Sequence, residues 1–202
     1  MSKMLNLKDT ITENNCSFAR YSGEVTIAVF HKDKLLKRIT SHNAGLEPLF
    51  TFISKCLAGR WSEAQESRPC KLVLLEAGAG EDTTTSTPLN DPADEGYWTS
   101  RYAISTPMIY DNAVLNTTTS SPASGSVTYH FRIPSLALAP GKTIKKLVLL
   151  PTLYNESSYK KDACAYFILP AGEEIQVPDQ SGNTTVIIDW TLKFTNANEG
   201  EE

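Results

Sequence analysis

Apolar and polar residues alternate along the C-terminal segment TTVIIDWTLKFTN. Val186, Ile188, Trp190, Leu192 and Phe194 fall on one side of this alternation, and mostly polar residues fall on the other. Because successive side chains of a strand point to opposite faces, the pattern predicts a long strand with one buried face. GSVTYHFRIP, residues 125 to 134, shows the same alternation and predicts a second such strand.

Further strands are predicted in both halves of the chain. Val25, Ile27 and Val29 alternate with smaller residues, a turn follows at Asp33 and Lys34, and an apolar segment returns, which predicts a hairpin. The run CKLVLL at 70 to 75 has no alternation, which indicates a strand buried on both faces. Segments 145 to 150, 163 to 169 and, less regularly, 97 to 110 also have strand character.

One segment has the periodicity of an amphipathic helix, TSHNAGLEPLFTFISKCLAGR at residues 40 to 60. Pro48 has no amide hydrogen and fits only the first turn of a helix, so the helix is predicted from about Gly45, with Asn43 in the preceding turn and Gly59 as the stop. The predicted apolar stripe consists of Leu46, Leu49, Phe50, Ile53 and Leu57. We expect this stripe to pack on one sheet.

The elements together predict the fold class. Eight or nine strands with irregular connections and a single helix exclude alternating βαβ units and favour an antiparallel two-sheet β-sandwich, jelly-roll-like, with the helix packed on a sheet. We predict a polar N-terminal arm at residues 1 to 20 and one domain at 21 to 202. Long loops are predicted at 77 to 96, rich in Gly, Thr, Pro and Asp, and at 116 to 125, the low-complexity segment NTTTSSPASG.

Composition narrows the classes of partner and compartment. A chain of 202 residues with 41% apolar content buries one substantial core. Its net charge of -4 offers no broad attraction for nucleic acid or for an anionic membrane, and no stretch is long and apolar enough to span a bilayer. Four cysteines without C-x-x-C spacing and the absence of a signal-peptide pattern in MSKMLNLKDT favour free thiols and synthesis in a cytoplasm.

No motif points to a reaction or to a bound cofactor. The three histidines are far apart and have no second ligand at metal-binding spacing, so we predict no metal site. Calcium binding by the acidic residues at 91 to 95 is a minor alternative to a solvated loop. Glu76, Asp111 and Asp189 are carboxylates on or beside strands, but nothing in the sequence raises the pKa of one of them for glycoside hydrolysis. We therefore predict a protein that is not an enzyme.

Three aromatic residues and the arm supply the candidate contacts. Trp61, Tyr97 and Trp98 could form a platform for a sugar ring or a partner chain, although each is also compatible with a place in the core. In the arm, the candidate docking residues are Asn14, Asn15, Phe18 and Arg20.

The order of these elements resembles that of accessory virion proteins of tailed bacteriophages, such as head-decoration, head-fibre, tail and baseplate components. The resemblance rests on the polar arm, the hairpin, HNAGLEPLFTFISKCLAG, the buried strand, the Thr/Ser-rich loops and the closing IIDWTLKFTN. It implies a structural protein made in the host cytoplasm and assembled in multiple copies on a virion. Its partners would be its own copies and other virion proteins, and the alternative is a carbohydrate-binding sandwich that adheres to a host-surface glycan.

Overall fold

The computed structural model describes residues 19–76, 103–118, 124–153, 163–178 and 181–196. Within them the chain is mainly β, with antiparallel strands and two helices, as the sequence predicts except for the second helix. The strands of the first half are β1 (Ala19–His31), β2 (Lys34–Gly45), β3 (Pro69–Leu75), β4 (Met108–Ile109) and β5 (Asn112–Thr118). Those of the second half are β6 (Ser124–Ile133), β7 (Thr143–Ile144), β8 (Lys146–Pro151), β9 (Ala165–Ile168), β10 (Ile175–Gln176) and β11 (Thr184–Asn196). The helices are α1 (Glu47–Leu57) and α2 (Trp61–Ser67).

Nine of these strands form one continuous antiparallel sheet in the order β4-β3-β8-β9-β2-β1-β11-β6-β5. The sheet folds into two layers at β2, which pairs with β1 as far as Asn43 and then pairs with β9 through Ala44 and Gly45. We call β2-β1-β11-β6-β5 the first layer and β4-β3-β8-β9 the second layer. A strand that passes from one layer to the next makes the corner of many sandwiches.

The two layers face each other across one apolar core. The first layer contributes alternate residues of its three central strands, among them Ile27, Phe131 and Trp190, all buried. The second layer contributes Leu72 and Leu149, which are register partners, and these lie in the same buried cluster. Face-to-face burial of alternate residues is the packing of a β-sandwich. The alternation predicted for the C-terminal strand is confirmed.

The strand predicted to be buried on both faces is β3. Leu72 and Leu74 belong to the core between the layers, whereas Val73 and Leu75 belong to a second buried cluster on the outer face. The second cluster also contains Val148, Leu150 and Ala163, and Leu46 and Ala103 pack against it. The lack of alternation in CKLVLL is therefore explained by apolar contacts on both sides of the second layer.

The first hairpin is longer than predicted and its turn lies one residue earlier. β1 begins at Ala19, so residues 19 and 20 belong to the strand and not to the arm. β2 continues through Asn43, predicted to lie in a turn, and through Gly45, predicted as the start of the helix. Lys32 and Asp33 connect the strands with φ of 49° and 60°. Two consecutive residues with positive φ characterise a type I′ turn, whose twist matches that of the flanking strands.

The helical region also differs from the prediction. Pro48 lies in the first turn as expected, but α1 begins at Glu47 and ends at Leu57, and Gly59 follows it with φ of +70°. Instead of a single helix there are two, because the chain turns at Gly59 and forms α2 over seven residues. This helix is too short to show an apolar stripe, and only Ala64 in it is buried.

The predicted loops coincide only partly with the described residues. Residues 77 to 96 lie outside them. The segment 116 to 125, predicted as a loop, is shorter at both ends because β5 continues to Thr118 and β6 begins at Ser124. Threonine is β-branched and fits a strand, so its abundance here was compatible with pairing.

Candidate functional site: an apolar surface at one end of the sandwich

The inner face of the first layer extends beyond its buried core at the end where β1 begins. Tyr21 on β1 pairs with Phe194 on β11, and Phe194 pairs with Gly125 on β6. Tyr21, Val127 and Phe194 are only partly buried against the core. A Cβ atom built on Gly125 meets no atom within 4 Å, so the space above this glycine is open.

The neighbouring residues extend this surface in both directions. On one side Val127 pairs with Leu115 of β5, which is 74% exposed. On the other side the ring of Phe50 from α1 meets Tyr21 edge-on, with 5.8 Å between ring centroids. The Phe194 ring lies 5.7 Å from that of Tyr21. We call Tyr21, Phe50, Leu115, Val127 and Phe194 the apolar end surface.

Tyr21 is held in place by a polar contact that two glycines make possible. Its hydroxyl donates a hydrogen bond of 2.7 Å to Oδ1 of Asn43. A Cβ atom on Gly23 would overlap the Asn43 side chain, and one on Gly45 would lie 2.9 Å from the Tyr21 ring. Desolvation by burial raises the pKa of Tyr21 to about 12, with a smaller contribution from Cys164. The phenol therefore remains a neutral donor over the physiological range.

The apolar stripe of α1 is only half used in packing. Leu49 is 1% exposed and belongs to the core, Ile53 packs against the core, and Leu46 packs against the outer cluster of the second layer. Phe50 is half-exposed and Leu57 is 85% exposed. The helix is therefore anchored on the sandwich by its first two turns, and the rest of its stripe faces solvent.

The residues proposed from the sequence as contacts are not brought together among the described residues. Trp61 begins α2 and is 63% exposed, which is compatible with the platform role and excludes the core role. Tyr97 and Trp98 lie outside the described residues, as do Asn14, Asn15 and Phe18. Arg20 is part of β1, where it pairs with Thr195.

The outer face of the first layer carries several pairs of polar side chains. Thr26 and Thr40 lie 2.9 Å apart across β1 and β2, and Thr128 and Thr191 lie 2.9 Å apart across β6 and β11. On the same face His130 Nδ1 lies 2.7 Å from Asp189 Oδ1, with both side chains partly exposed. Such cross-strand pairs stabilise a solvated sheet face.

The carboxylates considered for glycoside hydrolysis have separate contacts. Asp189 is paired with His130, and Glu76 forms an ion pair of 2.9 Å with Lys142. Asp111 follows β4, and its backbone N–H donates a hydrogen bond of 2.8 Å to the backbone oxygen of His130. The ranges that the structure describes contain no group of three metal-ligating side chains. Cys56 and Cys70 are free thiols, and the Cys164 thiol donates a hydrogen bond of 3.7 Å to the backbone oxygen of Ser67. No helix in the described ranges is long and apolar enough to cross a bilayer.

No protein-family model matches the chain, and neither a curated protein nor a solved structure gives a match.

The sequence analysis missed both the apolar end surface and the exposure of β5. The signal for β5 was present, because the segment NAVLNTT contains no charged residue and no proline. The end surface gave no sequence signal, because it joins residues of five elements that are far apart in the chain.

Proposed function

We propose that this chain is a non-enzymatic structural protein that assembles in multiple copies, and that its setting is the virion of a tailed bacteriophage, on the capsid or the tail. The single observation that carries the assembly is the apolar end surface, where partly exposed aromatic and aliphatic side chains continue the inner face of the first layer. Contiguous exposed apolar surface is typical of sites where proteins meet. The occupant proposed here is a neighbouring copy of the same chain.

The packing of the sandwich is compatible with this proposal. The core between the layers is apolar, and β3 and β8 of the second layer are buried on both faces. A subunit of a symmetric particle needs a fixed shape so that identical contacts recur at every position. The virion setting rests on the sequence resemblance.

The assembly is tested by the mass of the purified chain in solution. Light scattering coupled to gel filtration over a range of concentrations should give a multiple of the 22.2 kDa chain mass. A monomer at all concentrations, with no binding to purified virion proteins, would contradict the proposal.

The virion setting needs a separate measurement. Particles purified from the virus that encodes the chain should contain it in many copies per particle when analysed by quantitative mass spectrometry. Its absence from purified particles, despite its presence in infected cells, would remove the setting and leave the assembly untouched.

A carbohydrate-binding function is the second candidate, and the exposure of Trp61 favours it. A solvent-facing indole offers a flat apolar ring on which a sugar can stack. A glycan array should then show a ligand whose binding is lost in Trp61→Ala and kept in Leu136→Ala, a change at an exposed site in the single-turn 3₁₀ helix Ser135–Ala137. An array without a ligand, or binding that survives Trp61→Ala, would contradict this function.

A further inference from the structure

The two edges of the nine-stranded sheet differ in how they are protected. The edge at β4 is only two residues long. The edge at β5 is seven residues long, and β5 pairs with β6 on one side only. Within the part of the chain that the structure describes, no strand pairs with its other side. An edge strand carries unpaired backbone N–H and C=O groups that can accept another strand.

β5 has none of the usual features that keep an edge from pairing. Its sequence NAVLNTT contains no lysine, no other charged residue and no proline. Its described side chains, residues 112 to 117, are exposed on both faces of the layer. Leu115, at the centre of the strand, is an exposed apolar residue on the face that carries the apolar end surface. A partner strand would cover both the free backbone groups and this leucine.

We propose that β5 pairs antiparallel with β5 of a second copy of this chain, so that the first layers of two subunits form one continuous ten-stranded sheet. This inference rests on the proposed assembly of the chain with its own copies and names the surface through which it occurs. A second copy of the chain is the favoured partner because β5 can pair with itself about a two-fold axis and carries no charged residue.

Symmetry makes β5 complementary to itself. An antiparallel strand pair related by a two-fold axis through Leu115 places each residue i opposite residue 230 − i, so Leu115 faces its own copy and Val114 faces Asn116. No pair in this register brings two charges together. The two-fold axis is perpendicular to the sheet, so both copies of Leu115 lie on the inner face, and the two apolar end surfaces adjoin.

The first test changes the charge at the two-fold axis. In Leu115→Lys two ammonium groups would lie opposite each other across the pair, which disfavours pairing. We expect its dimer dissociation constant, from sedimentation equilibrium, to rise about tenfold or more relative to the wild type. The matched control is Leu136→Lys, because Leu136 is 98% exposed and lies in a short turn outside the sheet. This control should associate like the wild type.

The second test locates the pairing. Opposed residues of an antiparallel pair have Cα atoms about 4.5 to 5.5 Å apart, which is within the range of a disulfide. Leu115→Cys should therefore form a covalent dimer on mild oxidation, beyond any dimer formed by the native cysteines of the wild type. Asn112→Cys is the control, because the proposed register separates its two copies by about 20 Å. It should not crosslink above the wild-type level.

The outcomes separate this inference from the proposed function. If the wild type is a monomer and the Leu115→Cys variant forms no covalent dimer, both the pairing through β5 and the proposed multi-copy assembly are overturned. An oligomer that Leu115→Lys leaves intact, or that Asn112→Cys crosslinks as well as Leu115→Cys does, would overturn pairing through β5 while multi-copy assembly stands. Loss of the dimer in Leu115→Lys alone, with selective crosslinking at residue 115, supports the pairing even if the chain is later found outside a virion.

Discussion

Replacing Leu49 by alanine tests whether α1 is anchored in the core or merely lies on the surface. Leu49 is 1% exposed and belongs to the cluster between the layers, whereas Leu57, two turns later on the same helix, is 85% exposed. Leu→Ala removes three carbon atoms, worth about 0.8 kcal/mol each when buried, and leaves a cavity. We therefore expect Leu49→Ala to lower the free energy of unfolding by about 3 kcal/mol.

Leu57→Ala is the matched control because it makes the same chemical change on the same helix. An exposed leucine has little burial to lose, and alanine is an excellent helix former, so the change should stay within about 0.5 kcal/mol. For a chain of this size, a loss of about 3 kcal/mol in Leu49→Ala corresponds to a fall in Tm of about 6 to 12 °C. Leu57→Ala should show no comparable fall.

The assay is urea unfolding followed by circular dichroism and by tryptophan fluorescence, since the buried Trp190 reports on the core. Coincident transitions by the two probes would justify a two-state free energy. Equal effects of the two substitutions would refute the anchoring of α1. So would a loss of helix signal in Leu49→Ala without any change in the midpoint detected by fluorescence.

Three further measurements test other contacts. Gly23→Ala should destabilise the protein by about 1 to 3 kcal/mol, because its Cβ atom would overlap a side chain of the neighbouring strand. In the same urea titration Gly125→Ala should be close to neutral, because its Cβ atom would meet open space. The pKa of Tyr21 is raised from 10.0 to about 12, so above pH 10 the folded state keeps a proton that the unfolded state loses. The free energy of unfolding therefore has its full value below pH 10 and falls as the pH rises towards 12. Tyr21→Phe should make this fall in stability with pH less steep. A double-mutant cycle on His130 and Asp189 should give a coupling below about 1 kcal/mol, since both side chains are partly exposed; a much larger value would contradict their assignment to a solvated face.

The predictable parts of the fold are those in which the sequence pattern of a single strand shows which of its faces are buried. The alternation around Trp190 predicted a strand with one buried face, and the unbroken apolar run around Val73 predicted burial on both faces. In both cases the periodicity of two is a direct consequence of strand geometry. No other part of the chain has to be known for the inference to hold.

The parts that were not predictable depend on which strands become neighbours. β1 pairs with β11 across more than 150 residues of chain, and no local pattern encodes this pairing. The fold of the sheet at Ala44 and Gly45 was missed because Asn and Gly favour turns in a single sequence. Here they lie in a strand that changes layers. The exposure of Leu57 was likewise hidden, because an apolar stripe shows what a helix can bury and not how much of it the fold covers.

The two layers differ in how much surface they offer to a partner chain, and the first layer offers more. β3 and β8 of the second layer are buried on both faces, and its outer strand β4 is only two residues long, so its described surface offers little to a partner strand. The first layer has an outer face on which Thr, His and Asp side chains bond to one another, as in the pair of His130 and Asp189. At its edge the first layer offers the backbone of β5 and the adjoining apolar end surface, and Leu115 belongs to both. A partner that pairs with β5 must therefore also cover apolar surface, so backbone hydrogen bonding and apolar burial favour the same interface.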